Sequence, residues 1–274
     1  MARPLTITAP DGARLAGWLH EPAPPASAQL AALIVPGAPQ TRIGPHRSFA
    51  ALAQMLAAAG VPGLSFDRRG LGDSDGSDPG FRAIGPDIAA ARAALLAATG
   101  ARCVIGIGLC DGAAALALEP GGFAGLLLLN PWARDECTAA AQTPPRAAIA
   151  ARYRERLHPL ALARRVLSGE VDLRKAARGL ARLARPEPLP ATARNIAATL
   201  GRYQGAVEIV TGGRDATGIA FAALWASTPF KAARAAGPRT LTSVEGAGHS
   251  FAGAAAQAAV RARARALVGS CSGC

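Results

Sequence analysis

Apolar positions along this chain change rhythm repeatedly, and each rhythm predicts an element. Leu5–Thr8 and Arg14–Leu19 flank Pro10-Asp11-Gly12, a turn sequence between two strand-like runs, and predict a β-hairpin. Leu30–Val35 is apolar throughout, as a parallel strand buried on both faces must be. Phe49, Leu52 and Leu56 have helical spacing within Phe49–Ala59, and Gly60 ends that helix. The alternation then continues: strand Val61–Phe66, helix Ile88–Ala98 stopped by Gly100, strand Cys103–Ile107, helix Gly112–Leu118 and strand Phe123–Leu129.

The rhythm breaks at Pro131. From there to Gly205 no buried strand is legible, only Arg/Ala/Leu helical stretches punctuated by prolines such as Pro144, Pro145, Pro159 and Pro186. Strand–helix alternation resumes with Val207–Thr211, a helix around Phe221–Trp225, strand Thr240–Val244 and helix Ala254–Val268. Strands alternating with helices predict an α/β fold with a mostly parallel sheet covered on both faces. The expected organisation is a core from residues 1–130 and 206–270, a helical cap inserted at 131–205, and a flexible tail at 271–274.

Composition narrows the class. At 274 residues, half of them hydrophobic, the chain can bury a large core, and disorder is excluded. No apolar run approaches the ~18 residues of a membrane span, and the N-terminus has no apolar stretch resembling a signal peptide. The formal net charge is +12, but only Lys175 and Lys231 are lysine, and the arginines lack the interleaved aromatics that stack on bases. No nucleic-acid partner is expected. The basic residues concentrate between Trp132 and Gly205, a solvated helical surface or an attraction to an acidic or carrier-type partner. Five cysteines (Cys103, Cys110, Cys137, Cys271 and Cys274) form no evident disulfide framework, which suits a reducing cytoplasm. Cys271-Ser272-Gly273-Cys274 has Cys-x-x-Cys spacing but lacks two further ligands, so neither a metal nor another cofactor is expected.

The most informative stretch is Val104-Ile105-Gly106-Ile107-Gly108-Leu109-Cys110-Asp111-Gly112-Ala113-Ala114. It reads as a strand, then Gly-x-Cys-x-Gly, then a helix of small residues: a nucleophile elbow with cysteine where serine is commoner. Side chains two residues to either side of the nucleophile would strike the packed strand and helix, hence the glycines. The thiol then sits at a helix N-terminus, where the dipole favours thiolate. A dinucleotide-binding turn is the competing reading of Gly106 and Gly108, but Asp111 stands where the third glycine would be.

An elbow requires an acid and a histidine later in the chain, in that order. His249 follows the last strand and Glu245-Gly246-Ala247-Gly248, and Asp215 closes Gly212-Gly213-Arg214-Asp215 after the preceding strand. The predicted triad is therefore Cys110, Asp215 and His249. His46 is the rival base, although no acid is expected behind it. Two backbone N–H groups should hold the oxyanion, one from Asp111 and one from Val35-Pro36-Gly37-Ala38-Pro39-Gln40. Pro39 has no N–H, which leaves Ala38 as the expected donor and Gln40 in reserve. The segment from Asp67 to Ser74 reads as a packed, hydrogen-bonded turn with a structural role.

These motifs together resemble the α/β-hydrolase superfamily and, more narrowly, exosortase A system-associated hydrolase type 1. The likeness spans nearly the whole chain and rests on Gly37-Ala38-Pro39-Gln40, Gly44-Pro45-His46-Arg47, Asp67-Arg68-Arg69-Gly70-Leu71-Gly72-Asp73-Ser74, Gly108-Leu109-Cys110-Asp111-Gly112, Gly213-Arg214-Asp215 and Gly248-His249-Ser250-Phe251. The resemblance implies the α/β-hydrolase fold, a helical cap and a cytoplasmic protein linked to bacterial envelope-protein sorting and exopolysaccharide systems. Cysteine at the elbow departs from the broad superfamily and is similar to its dienelactone-hydrolase-like branch. The expected activity is hydrolysis of a small-molecule or carrier-bound ester or thioester through an acyl-enzyme. The alternatives are acyl transfer and a non-catalytic binding protein of the same fold.

Overall fold

The computed structural model describes residues 2–23, 29–135 and 188–273. Their strands are β1 (Ala2–Thr8), β2 (Arg14–His20), β3 (Leu30–Val35), β4 (Gly63–Phe66), β5 (Cys103–Leu109), β6 (Gly125–Leu129), β7 (Ala206–Gly212) and β8 (Arg239–Val244). They pair into one sheet in the order β1-β2-β4-β3-β5-β6-β7-β8. Only β2 runs against its neighbours; every pairing from β4 to β8 is parallel. This is the mostly parallel sheet that the strand–helix alternation predicted and the α/β-hydrolase fold that the resemblance implied.

The helices are α1 (Ser48–Ala58), α2 (Gly85–Thr99), α3 (Asp111–Leu118), α4 (Ala191–Arg202), α5 (Ala216–Ala226), α6 (Lys231–Ala235) and α7 (Ala254–Cys271). Successive side chains of a strand point to opposite faces, so a strand covered on both sides is apolar at every position. In β6, Leu126 and Leu128 pack with Ile88 and Leu95 of α2, Leu116 of α3 and Phe221 of α5. On the other face Leu127 and Leu129 pack with Phe49, Leu52 and Leu56 of α1 and with Val260 and Leu267 of α7. Gly100 ends α2 in the left-handed conformation (φ 68°), its N–H donating to the Leu96 carbonyl.

Three expectations change. Residues 191–202, assigned by sequence to the cap, form α4, whose Ala193, Ile196, Ala197 and Leu200 lie in the main core. Their helical spacing presents one apolar face, and α3 takes it up. The remainder of the expected cap, residues 136–187, lies outside the described residues. Cys271 belongs to no loose tail: it is the last residue of α7 and is buried against Gly125, where an added Cβ would come within 2.8 Å of its sulfur. Cys103 is disulfide-bonded, so the expectation of unpaired cysteines does not hold there, and the cytoplasmic reading loses the support it drew from them. No helix among the described residues is long and apolar enough to cross a membrane.

Candidate active site

β5 ends at Leu109, α3 begins at Asp111, and Cys110 alone makes the turn between them. Its backbone (φ 58°, ψ −118°) lies in a region that L-residues rarely occupy. The strain is held in place on both sides. The Cys110 N–H donates to the Leu129 carbonyl at 2.9 Å, and its carbonyl accepts from Ala114 at 3.1 Å and Trp132 at 3.0 Å. A Cβ on Gly108 would fall 2.6 Å from the Ala113 nitrogen, and one on Gly112 would fall 2.5 Å from the Val35 oxygen. Both contacts are with backbone and cannot yield, so these glycines are obligatory. The Cys110 side chain is partly exposed.

The expected acid and base come from the ends of neighbouring strands. Asp215 follows β7 and caps α5: its Oδ2 accepts the Gly218 N–H at 2.8 Å. Its Oδ1 lies 3.1 Å from His249 Nδ1, in the loop after β8. Asp215 is nearly buried, while the His249 side chain is 38% exposed and so open to a reactant. The Asp215 hydrogen bond raises the His249 imidazole above its ordinary pKa despite partial burial. The charge of Asp111 acts in the same direction. His46 is exposed, sits in a short 3₁₀ turn at φ 52°, and makes no ion pair with a carboxylate among the described residues.

The oxyanion loop departs from expectation. The Ala38 N–H donates to Asp111 Oδ1 at 2.9 Å, so one predicted donor is occupied by the side chain of the other. The reserve is engaged too, since the Gln40 N–H donates to the Gly37 carbonyl at 2.8 Å. Of the predicted pair, the main-chain N–H of Asp111 remains, left over at the first turn of α3 by helix geometry. Sequence reasoning could not see this, because the competing acceptor is a side chain 73 positions away.

It also missed Arg68. The turn Asp67–Ser74 is indeed tightly bonded: Asp67 is fully buried and accepts from the backbones of Arg42 and Asp73 and from the Arg42 guanidinium. Arg68, however, is buried under the elbow. Its Nη1 donates to Asp111 Oδ2 at 2.8 Å, and its Nη2 holds Asp78 at 2.8 and 3.0 Å. Burial opposes the guanidinium charge, but Asp111 and Asp78 more than offset it and raise its pKa. The chain Asp78–Arg68–Asp111–Ala38 therefore ties the residue after Cys110 to the loop after β3. The only sequence signal was an arginine directly after the buried Asp67.

Residues 32–263 match the model of the alpha/beta hydrolase family. Among curated proteins no sequence matches this chain. Solved structures share the fold at low identity. An esterase of Pyrococcus furiosus superposes with a TM-score of 0.65 at 15% identity, over 99% of this chain and 91% of that one. Est1E of Butyrivibrio proteoclasticus, solved with ferulic acid, gives 0.62 at 17%, over 97% and 99%. An alpha-beta serine hydrolase homologue from Coxiella burnetii gives 0.58 at 16%, over 97% and 95%.

Proposed function

Because the chain belongs to the alpha/beta hydrolase family, we propose that it cleaves carboxylic esters or thioesters with Cys110 as nucleophile. His249 takes the thiol proton, and the thiolate attacks the substrate carbonyl to form a tetrahedral intermediate. The main-chain N–H of Asp111 donates to the oxyanion. Collapse of the intermediate expels the alcohol or thiol, protonated by His249, and leaves an acyl thioester on Cys110. Water, deprotonated by His249, then releases the acid and restores the thiol. Asp215 accepts from Nδ1–H throughout, which keeps Nε2 free as the base and stabilises the imidazolium.

One observation carries this reading: a strained cysteine at the strand-to-helix turn, in a chain whose Asp215 and His249 form a carboxylate–imidazole pair 3.1 Å apart. Serine hydrolases among the structural neighbours make the cysteine a departure. Thiol chemistry suits it, because the acyl-enzyme is itself a thioester and exchanges readily with carrier-bound acyl groups. The Gly44-Pro45-His46-Arg47 and Gly108-Leu109-Cys110-Asp111-Gly112 motifs support membership of the exosortase A system-associated type 1 branch.

The test is intact-mass analysis after incubation with a panel of activated esters and thioesters. An acyl adduct on Cys110, absent in Cys110→Ala, is the expected result. Discharge faster to an added thiol than to water would favour acyl transfer. Binding without any adduct across the panel would sink the catalytic reading in favour of a binding protein.

A further inference from the structure

Asn130 directly follows β6, fully buried and in the left-handed conformation (φ 42°). Its carboxamide is used in both senses. Oδ1 accepts the Gly212 N–H at 2.7 Å, and Nδ2 donates to the His249 carbonyl at 3.0 Å. Its own N–H donates to the Val210 carbonyl at 2.9 Å. Gly212 is the last residue of β7, three before Asp215, so one side chain grips both the strand end that carries the acid and the main chain of the base. The circuit closes through Asp215, whose two oxygens reach His249 and Gly218. Gly218 leaves room for this arrangement, since a Cβ there would lie 2.3 Å from Asn130 Oδ1.

A carboxamide offers donor and acceptor together without charge; a carboxylate would present an acceptor to the His249 carbonyl, and a hydroxyl is too short to span both loops. We propose that Asn130 is a positioning residue, holding the β7 and β8 loops at the separation that brings His249 into hydrogen-bonding distance of Asp215. It touches neither the substrate nor the reacting atoms. The inference rests on the proposed roles of Asp215 and His249.

Asn130→Gly tests it in the full chain, because glycine adopts the left-handed backbone freely and only the carboxamide is lost. Asn130→Ala serves as a second variant. The carboxylates bearing on His249 are Asp215 and Asp111, and neither substitution adds a charge. The primary readout is the NMR titration of the His249 imidazole. The wild type should titrate above 6.5, and both variants should fall back toward it, as should Asp215→Asn. With an ester that acylates the wild type, kcat should drop about 10–100-fold with little change in KM, the scale of a misplaced catalytic group. Folded variants with a lower Tm but wild-type titration and kcat would overturn the proposal. Should the wild type form no acyl adduct, the proposed function fails while the titration still decides whether Asn130 positions the pair.

Discussion

Replacing Arg68 by methionine should be among the most damaging single changes near the elbow. Methionine approximates the volume but removes the charge that compensates Asp111, whose side chain is 8% exposed. Stranding a buried charge by removing its partner costs about 3–5 kcal/mol, a large share of a domain's ~5–15 kcal/mol. Asp78 contributes little to that cost, because at 22% exposed it can turn to water. With a urea slope of ~3 kcal/mol per molar, the unfolding midpoint should fall by ~1–1.7 M. Asp111→Asn should cost no more than about 2 kcal/mol, since the amide still accepts from Ala38 and Arg68 keeps both bonds to Asp78. The double variant should be more stable than Arg68→Met alone, with a coupling of ~1–3 kcal/mol, because no buried charge is left unpaired. The assay is urea unfolding of the four proteins followed by circular dichroism. Additive costs, or a loss below ~1 kcal/mol for Arg68→Met, would refute the claim that this ion pair holds the elbow's neighbour.

Other perturbations test the site more directly. His249 acts as a base only when neutral, and its pKa is raised; kcat/KM should therefore climb with pH through a midpoint above 6.5, and Asp215→Asn should shift that midpoint down. His249→Ala should lower kcat by roughly 10³-fold or more, while the exposed His46→Ala should cost ~10-fold at most; steady-state kinetics would expose the reverse ranking. Gly112→Ala places a Cβ 2.5 Å from the Val35 carbonyl oxygen and should destabilise by about 1–3 kcal/mol, measurable as a fall in Tm; a neutral outcome would mean that the elbow is not tightly packed.

Much of this protein is local and so was readable in one dimension. The apolar runs Leu30–Val35 and Gly125–Leu129 had to be strands covered on both faces, because burying five or six successive side chains in an extended chain leaves no face for water. The elbow was equally local: its glycines answer to backbone within five residues or on the adjacent strand. Chain order alone singled out Asp215 and His249, whose side chains the fold brings to 3.1 Å. What escaped depended on which distant groups the fold brings together. Ala38 offered an N–H by composition, yet only the packed structure supplies the Asp111 carboxylate that occupies it. Arg68 read as a turn residue and Asn130 fell just past the predicted strand Phe123–Leu129, and the meaning of both lies in partners 43 and 119 positions away. The cap boundary moved for the same reason: Ala193, Ile196, Ala197 and Leu200 form an apolar stripe in any helix, but whether it faces a cap or the core depends on whether α3 lies beside it. Periodicity reports that a face must be buried; only the tertiary structure decides against what, because a buried face or polar group is satisfied by proximity in space.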